Sequence, residues 1–200
     1  MQGVARIDAE EHPLGLTWMV EEPMERAFHA LVDDGRVWLV DPLDGPEMED
    51  AVALGEPAGV LQLLDRHNRD CAEIAARLGV PHLKVPDAVP GSPFEAIAAV
   101  RIPHWQETAL WWPQRKALVV AEVLAANPMH TGGEQRVGIH LFLRPWPPSS
   151  LRGYRPEHLL LGHGRSVHGP GAAAAVETAY ARARRDLPRV LLGLPGAVRG

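Results

Sequence analysis

Cysteine is nearly absent from this sequence: Cys71 is the only one in 200 residues. It cannot form an internal disulfide, which excludes the stapled scaffolds of small secreted domains and fits a reducing compartment, with the cytoplasm as the default. Charge of one sign is not in excess either. A formal net charge of -5 and a pI near 6.0 supply no broad basic field for a phosphate backbone, so nucleic acid is not an expected partner. No apolar run approaches the ~20 residues that span a bilayer. The first residues, Met1 to Arg6, lead into Asp8, Glu10 and Glu11 rather than into an apolar leader core, so neither membrane insertion nor export is expected. Tandem repeats and an interdomain linker are missing as well.

What is present suits a globular chain. With 46% hydrophobic and 22% charged residues, one sizeable core can offset the entropy of ordering the backbone, and residues 1–200 are expected to form a single domain. Leu14 to Val20 is apolar enough for a first strand. Met24 to Val32 and Arg36 to Val40, joined by Asp33-Asp34-Gly35, read as a β-hairpin. Asp41-Pro42 ends that hairpin, and Glu47 to Leu54 has room for a short helix before Gly55. Val60 to Leu64 has the apolar content of a buried strand. Asp70 and Glu73 have capping-box spacing, and Gly79 is placed as the C′ residue of a helix over 71–78. Further strands are predicted at His82 to Val85, Ile97 to Arg101, Thr108 to Trp112, Ala117 to Val123 and His158 to Leu161. Ala126 to Glu157 reads as irregular, a lid or partly helical. Ala172 to Leu187 is predicted as one terminal helix, Ala-rich with arginines near its end.

Five local patterns draw attention within this order. They are Val37-Trp38-Leu39-Val40-Asp41, the loop Asp65-Arg66-His67-Asn68-Arg69-Asp70-Cys71, His104 in Pro103-His104-Trp105, Glu122 after an apolar strand, and Gly162-His163-Gly164. Together they resemble the metallo-β-lactamase superfamily. The resemblance runs from about Leu14 to the terminal helix and implies an α/β (in some schemes α+β) fold, a four-layer αββα sandwich with its site at one edge. The family carries His-x-His-x-Asp-His in the loop. Aligned on Asp70, this chain has Arg66 and Asn68 at the first two histidines and Cys71 at the third, with His67 on a non-ligand position. His104 and Glu122 stand where the family has a further histidine and a bridging aspartate.

The resemblance therefore leaves three readings of the site open. A two-zinc centre lacks ligands, and the always-charged Arg66 intrudes on it. A reduced centre with one zinc or other divalent transition metal would use Asp70, Cys71, Glu122 and His163. Glu122, His104 and Asp70 would then be the catalytic groups, acting on an ester, thioester or lactone. The reading most favoured by the substitutions is metal-free: Arg66 pairs with Asp70 or Glu122 in a pseudo-enzyme or small-molecule-binding protein, with no cofactor. Each residue also has a plainer role. Asp70 can be an N-cap, Cys71 a core hydrophobe, His67 a loop hydrogen-bonder and His163 a turn residue. Met129, His130, Trp146 and Tyr154 are the expected lid over a small-molecule ligand, and exposed tryptophans leave self-association into a homo-oligomer open.

Overall fold

In a computed structural model the chain is described from residue 7 to residue 197. Strands β1 (Ile7–His12), β2 (Gly15–Val20), β3 (Ala27–Asp33) and β4 (Arg36–Val40) meander as antiparallel neighbours. Asp33 pairs with Arg36, so Asp34 (φ 47) and Gly35 (φ 72) form the two-residue loop. Both are left-handed, the geometry that continues the twist of the hairpin strands. Helix α1 (Glu47–Ala53) then carries the chain to β5 (Glu56–Gln62), and α2 (Cys71–Leu78) carries it on to β6 (His82–Lys84). A crossover of this kind returns the chain in the same direction, and β4, β5 and β6 are parallel.

The second half builds another sheet. It begins with β7 (Glu95–Ile102), β8 (Trp105–Trp112) and β9 (Ala117–Val120), after which the chain makes a separate small pair, β10 (Leu124–Ala125) and β11 (Gly138–Ile139), with helix α3 (Pro128–Thr131) between them. The sheet is completed by β12 (His158–Leu161) and β13 (Val167–His168). Helices α4 (Gly171–Arg182) and α5 (Leu187–Ala197) follow. Apolar residues of both sheets and α4, including Leu61, Leu110, Val119, Leu160 and Val176, form one core. Leu39, Val60, Cys71 and Ile74 form the other, under α1 and α2. The layers are therefore helix, sheet, sheet, helix, the αββα order expected from the sequence.

Several local expectations change. β1 lacks an apolar alternation because its ladder partner β2 carries the buried face, so composition hid it. The predicted terminal helix breaks after Arg182, where the buried Asp186 carboxylate accepts from Gln135 and pairs with Arg182 at 2.7 Å. The capping box does not form: Asp70 makes no side-chain cap bond, and its carboxylate accepts the Asp44 amide at 2.8 Å. The stretch read as irregular, a lid or partly helical, does contain a short helix, α3, and adds the strand β11. Arg144, fully buried, donates to the carbonyls of Ala183 and His130 and ties that stretch to α4.

Candidate metal centre

Parallel neighbours place their carboxyl ends side by side, and two of this chain's parallel pairs, β4 with β5 and β9 with β12, do so at one edge. Asp41 ends β4, His67 lies in the loop after β5, Glu122 follows β9, and His163 follows β12. Gly162 and Gly164 let the last of these come close. A Cβ on Gly162 would overlap the carbonyl of Ala121, and one on Gly164, at φ 83, would lie 2.6 Å from the Asn127 amide nitrogen.

Among the described residues, His67, Glu122 and His163 form a buried group whose ligand atoms all lie within 4.8 Å of one another. Glu122 Oε1 stands 3.4 Å from His67 Nε2 and 3.7 Å from His163 Nε2. Two donors bound to one zinc at about 2.0–2.1 Å in a tetrahedral arrangement are about 3.4 Å apart, so the spacing suits a shared ion. Tautomers follow from the partners. His163 donates from Nδ1 to the Met24 carbonyl at 2.9 Å, and burial pushes the imidazole down to about 4. It is therefore neutral, with the lone pair on Nε2, and that buried atom has no hydrogen-bond partner. Asn127 Nδ2 donates to the same Met24 carbonyl, while Asn127 Oδ1 accepts from His130. A neutral imidazole fixed through one nitrogen and bare at the other is what a metal ligand requires.

His67 is held the same way, donating from Nδ1 to Asp41 Oδ2 at 3.0 Å. Burial pushes the His67 imidazolium down, but Asp41 and Glu122 outweigh it and raise it above its ordinary value. Burial raises Glu122 too, yet His67, Arg66 and His140 together hold its carboxyl well below the usual range. A negative oxygen and two imidazole rings thus meet in a dry place, and the donor set fits a divalent metal that takes the place of the proton Asp41 and Glu122 favour on His67.

Arg66 pairs with the other carboxylate oxygen, Glu122 Oε2. Its guanidinium lies over the Trp105 ring, 4.1 Å from the centroid, and donates to the His104 carbonyl at 3.4 Å. Beneath them sits the fully buried Glu107. Its Oε1 accepts the amides of Glu122 and Val123 at 2.9 and 3.1 Å, and its Oε2 accepts Trp105 Nε1 at 3.1 Å. Burial pushes Glu107 up to about 7. Arg69, at the base of the loop, donates to the carbonyls of Ala27 and Asp41 at 3.0 and 2.9 Å and lies over Phe28.

Of the residues singled out from the sequence, Glu122 and His163 come together, and Arg66 reaches Glu122 rather than Asp70. Asp70 turns to the α1 side. Cys71 is fully buried among the residues under α2, with Sγ 3.8 Å from the His67 carbonyl. Burial pushes its thiol up to about 12, and a thiol ligates only once deprotonated. His104 is exposed at the β7–β8 turn with φ 62. Sequence reasoning gave His67 only a loop hydrogen bond, which it does make to Asp41, and did not single out His140. Matching His67 to the second histidine of the motif moves the register by one residue, and a loop without periodicity offers nothing to choose between the two. Of the expected lid, His130 is buried beside His140, with ring centroids 4.6 Å apart. Trp146 is exposed, and Tyr154 packs on Trp111.

No family model matches the chain and no curated protein matches it. Solved structures do. DIM-1 metallo-β-lactamase is similar over 90% of this chain and 97% of its own, at 12% identity and a TM-score of 0.55. A metallo-β-lactamase from Pontibacter korlensis is similar over 90% and 97%, at 10% identity and a TM-score of 0.50. The apo state of the chemotaxis sensor ODP from T. denticola is similar over 88% and 94%, at 14% identity and a TM-score of 0.52. At such identities the likeness is one of architecture, and by that measure the chain has the metallo-β-lactamase fold.

Proposed function

We propose that this protein is a hydrolase of esters, thioesters or lactones that works with a single divalent metal ion, zinc or a similar transition metal, held by His67, Glu122 and His163. The observation that carries this reading is the buried, unpartnered Nε2 of His163 directed at Glu122, 3.7 Å away, with His67 Nε2 completing the triangle. Two histidines and a glutamate are one of the ligand sets found in catalytic zinc sites. A metal in such a site supplies Lewis acidity and a water of lowered pKa.

The protein's own groups do the rest. Asp41 and the Met24 carbonyl fix the two imidazoles, and Arg66 holds the second oxygen of Glu122, leaving Oε1 free to face them. His140 accepts the Phe142 amide on Nδ1 at 3.3 Å, and burial pushes it down to about 4. Its one proton therefore sits on Nε2, 4.0 Å from Glu122 Oε2, where the neutral imidazole can donate a hydrogen bond to a substrate oxygen without giving the proton up.

A second reading has its own support. The Arg66–Glu122 pair already neutralises the carboxylate, as expected of a metal-free pseudo-enzyme or small-molecule-binding protein. Elemental analysis of protein purified without a metal-affinity tag, before and after zinc incubation and dialysis, separates the two. One equivalent of metal, lost in His163→Ala, is expected. Absence of metal under both conditions would sink the hydrolase and leave the binding protein.

A further inference from the structure

The side chains of His67, Glu122 and His163 are 9%, 11% and 2% exposed, whereas that of Arg66 is 40% exposed. Arg66 is thus the solvent-facing group that touches the buried triad, through Glu122. This arginine is not a loose surface side chain. One face lies on Trp105, Nη1 is bonded to the His104 carbonyl and lies 3.8 Å from Asp65 Oδ1, and Nη2 is bonded to Glu122. A guanidinium has five N–H donors, and among the described residues hydrogen-bond acceptors take two of them. The rest of the fork is held in place with its order already established, which removes much of the entropy cost of recognising a planar anion. Around it the mouth is aromatic. Trp105 meets the His140 ring edge-on at 4.6 Å, and Phe142, 77% exposed, lies 5.5 Å from the same ring.

We propose that Arg66 is the specificity-determining residue of this site and binds a carboxylate or phosphate group carried by the substrate, with Trp105, His140 and Phe142 receiving its apolar body. The role as substrate rests on the hydrolase reading; the anion contact does not, because none of its groups is a metal ligand except through the second oxygen of Glu122. The substrate class is thus an ester, thioester or lactone with an anionic group near the scissile bond.

The test uses the full chain without metal and after zinc loading, and four probes: benzoate, phenyl phosphate, and the neutral benzamide and benzyl alcohol. Dissociation constants are read by NMR titration, following the indole N–H signal of Trp105, which lies against Arg66 and is present in every variant. Benzoate or phenyl phosphate is expected to bind about tenfold or more tightly than the neutral probes, as a charge-assisted bidentate contact gives. Which of the two anions binds better assigns the group as carboxylate or phosphate. Arg66→Gln should erase the preference, and Arg66→Lys, which keeps charge but not the fork, should keep only part of it. Equal binding of anionic and neutral probes, no measurable binding of either anion, or an undiminished preference in Arg66→Gln would overturn the proposal. His163→Ala separates the two readings: lost zinc binding with an intact anion preference supports Arg66 recognition, and a wild-type protein that takes no zinc yet keeps the preference overturns only the hydrolase.

Discussion

The approach of His163 to Ala121 and Ala126 depends on two positions without a side chain. Gly162→Ala places a methyl group against the Ala121 carbonyl, and neither backbone can move without disturbing the β9–β12 ladder. It should cost about 1–3 kcal/mol or more, as overpacking does, and weaken zinc binding together with stability. An unchanged denaturant midpoint would contradict that geometry. At Cys71 the expectation is the reverse. Cys71→Ala should leave zinc affinity where it was, since Sγ points at a carbonyl inside the α2 core, whereas His67→Ala should reduce it at least a hundredfold. Chelator competition measures both, and a Cys71 effect as large as that of His67 would return the thiol to the site. His163 was legible in the sequence because its requirement is local, a histidine between glycines. His67 was not, because its partner Asp41 is distant in the chain and only the fold makes them neighbours.

Hairpins and crossovers were legible where a turn residue or an apolar run marks them, as at Asp34-Gly35. Contacts between elements were not, and one has a measurable effect. His12 Nε2 bonds Thr17 Oγ1 at 2.9 Å, Thr17 Oγ1 bonds His29 Nδ1 at 2.8 Å, and His29 Nε2 donates to the Leu161 carbonyl at 3.2 Å. The run crosses from β1 through β2 and β3 to β12, joining the two sheets, and His12 stacks on His168. Burial, with His168 and His158 nearby, pushes His12 down to about 4, and burial pushes His29 down to about 3. An unfolded histidine titrates near 6.5. Below that pH the unfolded chain takes up protons the folded one refuses, so stability is full above about 6.5 and falls as pH drops towards 4. The slope is at most about 1.4 kcal/mol per pH unit for each histidine, less for the partly exposed His12. Urea midpoints at pH 7 and pH 5 check this, and His12→Gln should flatten the difference. A midpoint that rises on acidification would refute it.

Across the molecule, His67 hangs from the first sheet while Glu122 and His163 hang from the second, so a bound ion would join the two halves. Zinc at about a thousandfold excess over its Kd should add about 4 kcal/mol to unfolding stability, reversed by chelator and absent in His163→Ala. Melting unaffected by zinc would mean that the halves are held without it. No helix among the described residues is long and apolar enough to cross a membrane. Arg69 governs how the chain can change. With His67 matched to the second histidine of the His-x-His-x-Asp-His motif, Arg69 stands where the aspartate would be, clamping the Ala27 and Asp41 carbonyls against Phe28. Rewriting positions 65, 69 and 70 to restore the motif would strip both carbonyls of their donor. One guanidinium thus ties the loop after β5 to the ends of β3 and β4, and exchanging those three letters alone would take away the support on which the loop rests.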